Sequence, residues 1–150
     1  MKFGVLGAAL FLVAVLVPAC SLDAARERLG EEPMLGAPPD ALELLRTEIA
    51  GTSLGFGTPA RIEIVWGVDD TDAAADWYLR EHADRYDLDR QVDRAHWLGQ
   101  RAAGDMTVTT ALRVSSSIAD LPWETMLGAE GDAGAWDGPV VMVRVSSTGP

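Results

Sequence analysis

Lysine is almost absent from this chain: Lys2 is the only one, and beyond it 11 arginines stand against 23 aspartates and glutamates. A formal charge of −11 at pH 7 excludes function classes that need clustered cations. Nucleic acid is not an expected partner, because polyanion binding depends on neutralising phosphates. A polybasic grip on anionic lipid is disfavoured for the same reason. Cysteine is as scarce, with Cys20 alone, so no intramolecular disulfide and no Cys-based metal site can form. Histidine appears only at His82 and His96, which limits acid–base catalysis near neutral pH. The 150 residues suit one domain with a single modest core held by packing. Neither an internal repeat nor a low-complexity tract is present.

Charge is also missing from the start of the chain. After Met1-Lys2 comes an uncharged, apolar run from Phe3 to Ala19, the layout of an export signal. It ends Val17-Pro18-Ala19-Cys20, which resembles the lipobox of bacterial lipoproteins: an aliphatic residue at −3, a small one at −1, then cysteine, with Pro18 a less usual choice at −2. The resemblance covers only these first residues. It implies that residues 1–19 are a signal peptide and that the Cys20 sulfur receives a diacylglyceryl group. Cys20 then becomes the new N-terminus, often further acylated with a fatty chain such as palmitate. Two or three chains give a stable anchor where one gives only marginal binding. The implied location is the cell membrane or outer membrane, facing away from the cytoplasm. Ser21 is not the aspartate that typically signals inner-membrane retention in two-membrane cells. The alternative is an uncleaved transmembrane helix, since a run of this length can just span a bilayer.

Residues 21–39 mix charge with Gly and Pro and carry no sustained apolar period, the composition of a tether. Residues 40–150 then read as one α+β domain. Asp40 with Glu43 forms a capping-box pattern, and Leu42, Leu45 and Ile49 share a helical face before Gly51, predicting a short N-terminal helix. Alternation with a period of two predicts strands at 61–68, 95–101, 106–114 and 140–145. Asp69 to Asp72 supply caps for a helix from Ala73 to Tyr86, with Ala75, Leu79, Ala83 and Tyr86 as its apolar stripe. The expected fold is a small, mostly antiparallel four-stranded sheet with this helix on one face.

Candidate chemistry is sparse. The acids Asp70, Asp72, Asp76 and Glu81 superficially match a calcium loop, but Ala75 stands where glycine must turn the chain, and capping explains them better. No metal or other cofactor is expected. A hydrolytic triad needs a hydroxyl beside a histidine oriented by an acid. Ser115, Ser116 and Ser117 lack any nucleophile-elbow context. Of five tryptophans, Trp66, Trp77 and Trp97 read as core, while Trp123 and Trp136 lie in the long 116–138 connection and either pin it or form a binding surface.

The expectation is a lipid-anchored, non-enzymatic binding or accessory module at the cell envelope. Its partners would be the membrane, through Cys20, and another envelope protein or ligand. The alternatives are a small envelope hydrolase using His82 or His96, and a carrier with a dry cavity between helix 73–86 and the sheet.

Overall fold

The computed structural model describes residues 19–51, 58–90, 95–122 and 128–148. Helix α1 (Ala19–Gly30) and a 3-10 turn at Pro33–Leu35 precede strands β1 (Leu42–Ile49) and β2 (Arg61–Gly67). Helix α2 (Thr71–Tyr86) then leads to β3 (Asp89–Arg90), β4 (His96–Ala103) and β5 (Met106–Ser115). A second 3-10 turn at Ile118–Asp120 is followed by β6 (Glu130–Gly131) and β7 (Val140–Thr148).

The strands form one seven-stranded sheet in the order β3-β4-β5-β7-β2-β1-β6. Every neighbouring pair is antiparallel. The four-stranded expectation is therefore wrong, although the class remains α+β. The main source of the error is β1, where a helix was expected. Asp40 sits at φ 60°, a left-handed conformation rather than the extended one an N-cap residue takes. A bulge between Glu43 and Leu45 lets both Leu44 and Leu45 reach the same apolar cluster. One extra residue breaks the period of two and makes the leucine spacing look helical. The two-residue strands β3 and β6 at the edges are too short to leave a periodic signal.

Helix α2 begins and ends as its sequence directs. Asp70 is extended and its carboxylate accepts from the backbone N–H groups of Asp72 and Ala73 at 2.8 and 3.1 Å. Asp87 closes the helix at φ 48° with its N–H on the Ala83 carbonyl. The buried stripe is Ala74, Ala75, Tyr78 and Tyr86, with Leu79 and Ala83 only half-buried. The helix is thus rotated from the expected face so that Tyr78 lies at its centre.

One face of the sheet carries the main core. Ile62, Ile64, Val108, Leu112, Val141, Val143 and Val145 pack beneath α2, α1 and the first 3-10 turn. Within the stretch whose composition predicts a tether, Leu29, Met34 and Leu35 are buried in this core. Glu32 between them is 5% exposed. Its carboxylate accepts from the Tyr86 hydroxyl at 2.5 Å and from both Nε and Nη2 of Arg101. The Arg101 guanidinium also lies 5.6 Å from the Tyr86 ring centre. A buried acid is tolerated only with such partners, so this cluster fixes α1 and the turn to the β4–β5 hairpin.

Among the described residues, the opposite face is covered only in part. Leu121, with Ile118, Ala133 and Trp136 beside it, packs on Leu44, Val65, Val140 and Met142. Gly67 makes room for this cover: a Cβ there would lie 2.7 Å from the Trp136 ring. The rest of that face, toward β3 and β4, carries the features described next.

Candidate functional site

Antiparallel partners place their side chains on the same face, so the register assigns the residues of this second face. One row runs from Leu98 on β4 through Ala111 and Arg144 to Glu63 and Thr47. The next row holds Gln100, Thr109, Ser146 and Arg61. On the other side lie His96 and Arg113, level with Met142. Arg113, Arg144 and Arg61 consequently form a diagonal across three adjacent strands, with diagonal neighbours about 7–8 Å apart at their backbones.

Glu63 is 2% exposed, and its Oε2 accepts from Nε of Arg144. Its other oxygen, Oε1, is buried without a hydrogen-bond partner, as is Nε of Arg61. Arg144 is bound to the protein side-on: Nε is used, while among the described residues neither terminal amino group meets an acceptor. The guanidiniums of Arg61 and Arg113 form no ion pair among the described residues. Three arginines thus lie near one buried carboxylate on this face, with Asp87 and Asp89 at its β3 edge.

A concavity of about 550 Å³ lies beside this diagonal, with Arg144, Thr109, Ser146 and Ala111 along it. Its volume falls within the range of small-ligand sites. Leu98, 40% exposed, and Gln100 line the β4 side, and Asp87 and Asp89 stand at the β3 edge. The hydroxyls of Thr109 and Ser146 are 2.7 Å apart.

The residues singled out in the sequence do not assemble elsewhere. Both nitrogens of His82 are buried without partners, and its ring packs edge-on to Trp77 and Tyr86. Burial, then the charge of Arg85, pushes its pKa below the ordinary value, against the opposing effect of Glu81. His82 therefore has neither an orienting acid nor a hydroxyl to activate. His96 stands on the second face, level with Arg113. The three serines are engaged locally: Ser117 caps the turn by accepting from Ala119, Ser116 donates to Asp120, and Ser115 accepts from the Ser117 N–H. Tyr78, Tyr86, Trp66, Trp97 and Leu112 occupy the core beneath α2 where an apolar ligand was considered.

Trp136 is half-buried, lies over Gly67 and Gly138, and donates its indole N–H to the Pro139 carbonyl at 3.1 Å. Trp123 lies outside the described residues, as do residues 1–18 with Val17 and Pro18. Cys20 is the second residue of α1. Among the described residues, no group of three or more His, Cys, Asp or Glu side chains is placed to hold a metal ion, and no helix is long and apolar enough to cross a membrane.

Sequence reasoning missed Glu63, Arg144 and the diagonal. A weak signal was present: a lone charge interrupts each of two apolar strands, Ile62-Glu63-Ile64 and Val143-Arg144-Val145, with opposite sign. Only the register shows that they meet.

These features define a class: an α+β protein whose sheet has one helix-covered face and a second face that the described residues cover only in part. No family model matches the chain, and neither a curated protein nor a solved structure matches it.

Proposed function

We propose that this chain is a lipid-anchored binding module of the cell envelope, tethered through Cys20, whose working surface is the open part of the second sheet face. The observation that carries the binding role is the concavity beside Arg144, where donors of a buried-acid-oriented guanidinium remain unspent. A guanidinium already held in place gives charge-assisted hydrogen bonds to a ligand with little further ordering. The anchor rests on the order of basic start, apolar run and Val17-Pro18-Ala19-Cys20. His82, one of the two histidines a hydrolase would use, has neither an acid nor a hydroxyl bonded to it.

Cys20→Ala tests the anchor. In cells fed an alkyne-bearing fatty acid, the wild-type chain becomes labelled and fractionates with membranes, and the variant is unlabelled and stays as precursor or in the soluble fraction. Equal processing and membrane retention of both forms would contradict the reading. The binding half is tested by a photo-reactive residue at Leu98, which should cross-link a discrete partner or ligand where the same residue at Arg80, on exposed α2, does not.

A further inference from the structure

The concavity has a chemistry specific enough to name a ligand class, and the following deepens the binding role proposed above. We propose that it takes a small polyhydroxylated anion, a sugar acid or sugar phosphate, with the anionic group on the terminal amino groups of Arg144 and the hydroxyls on Thr109, Ser146 and Gln100.

Glu63 is central to this arrangement. By holding Nε of Arg144 from the neighbouring strand on the same face, it fixes the guanidinium and leaves the two terminal amino groups, the planar fork that matches a carboxylate or phosphate. A fork fixed in advance loses less entropy on binding than a free arginine. Arg61 and Arg113 flank it along the diagonal and form no ion pair among the described residues. Asp87 and Asp89 in the lining and Glu63 beside Arg144 balance the three arginines in number, so it is the fixed fork of Arg144, not net charge, that selects an anion here.

The rest of the lining selects the body of the ligand. The hydroxyls of Thr109 and Ser146, bonded to each other at 2.7 Å, keep acceptor lone pairs for further bonds. Gln100 offers an amide on the same row. The carboxylates of Asp87 and Asp89 at the far edge suit ligand hydroxyls and would repel a second anionic group there. A ligand with one charged end and one hydroxyl-bearing end uses these polar groups, and the apolar part of the lining, Leu98 and Ala111, suits the carbon face of a sugar ring.

Calorimetric titration of the full chain in detergent micelles tests the proposal with glucuronate, glucose 6-phosphate, glucose and inorganic phosphate as probes. Glucuronate, glucose 6-phosphate or both should bind saturably, and which of them binds distinguishes carboxylate from phosphate as the anionic group. Glucose should bind at least about tenfold more weakly, for want of the charge-assisted bonds. Inorganic phosphate should also be weaker, because it leaves the hydroxyl-lined part empty. Arg144→Lys keeps a cation beside Glu63 but removes the fork, and should lower affinity at least about tenfold. Should that variant not fold, Glu63→Leu with Arg144→Leu removes the pair together and must abolish the binding. Thr109→Val should weaken the sugars while leaving inorganic phosphate unchanged. No saturable binding of either anionic sugar, glucose binding as tightly as both, phosphate binding as tightly as glucose 6-phosphate, or unchanged affinity in the Arg144 variants would each overturn the proposal. Such a result with intact cross-linking from Leu98 would leave the wider binding role standing.

Discussion

Each of the two buried acids named above, Glu32 and Glu63, has an arginine beside it. Removing one member of such a pair strands the other charge out of water, which costs more than removing both. Arg144→Gln should therefore lower stability by about 3 kcal/mol, the low end of the usual range because its side chain is 30% exposed. The double replacement Glu63→Leu with Arg144→Leu should be close to neutral, and denaturant melts of the single and double variants would measure the difference as a coupling. Tyr86 shows the same environment from the other side: burial first, then its bond to Glu32, pushes its hydroxyl up to about 12. The ring nitrogens of His82 have no hydrogen-bond partner, and burial holds its folded pKa below the ordinary value of about 6.5. As pH falls through that value the unfolded chain takes up the proton before the folded one does, so stability is lost on acidification. His82→Leu should remove this contribution. The gap between wild-type and variant melting temperatures should shift in favour of the variant from pH 7 to pH 5; an unchanged gap would contradict the burial account.

Among the elements, those with clean periodicity or explicit capping were legible in the sequence. The strands around Ile62–Ile64 and Met106–Leu112 and the Asp70-capped helix lie where alternation and capping residues predict them. The misread stretches are those where one local feature breaks the period. At β1 the bulge puts adjacent Leu44 and Leu45 on one apolar cluster. On α2 the alanines at 74, 75 and 83 mark the apolar face too weakly to set its rotation, so the half-buried Leu79 looked central. The corrected face predicts that Tyr78→Ala, which removes a fully buried ring and its hydroxyl bond to the Gly36 carbonyl at 2.7 Å, costs about 3–5 kcal/mol. Leu79→Ala should cost less, about 1–2 kcal/mol for a half-buried side chain, and Arg80→Ala about 0.5 kcal/mol or less. Urea melts of the three variants would order them. A larger loss at Leu79 than at Tyr78 would restore the sequence-based face. Gly67→Ala forms a fourth case: its Cβ would displace Trp136, and a change in tryptophan fluorescence with loss of stability should report it.

Across the whole molecule the sheet divides its faces. The face under α2 holds most of the core, including the buried part of residues 29–35, which a composition rich in Glu, Gly and Pro concealed. The second face is apolar and covered near Leu121 and Trp136, and polar and concave near Arg144. Its arginine diagonal was illegible in the sequence because Arg61, Arg113 and Arg144 are far apart along the chain and come together only through the insertion of β7 between β5 and β2. Net charge was no guide either, since an acidic total of −11 says nothing of where the arginines gather. The most direct test of this division of labour is a nitrogen-15 NMR titration of the full chain in micelles with glucuronate and glucose 6-phosphate, following backbone amides and the arginine Nε–H groups. Shifts confined to Leu98, Gln100, Thr109, Ala111 and Ser146, together with Nε–H of Arg144, and none along α2, are the predicted result. Shifts centred on α2 around His82, or no shift at the Arg144 Nε–H while other residues respond, would contradict the account.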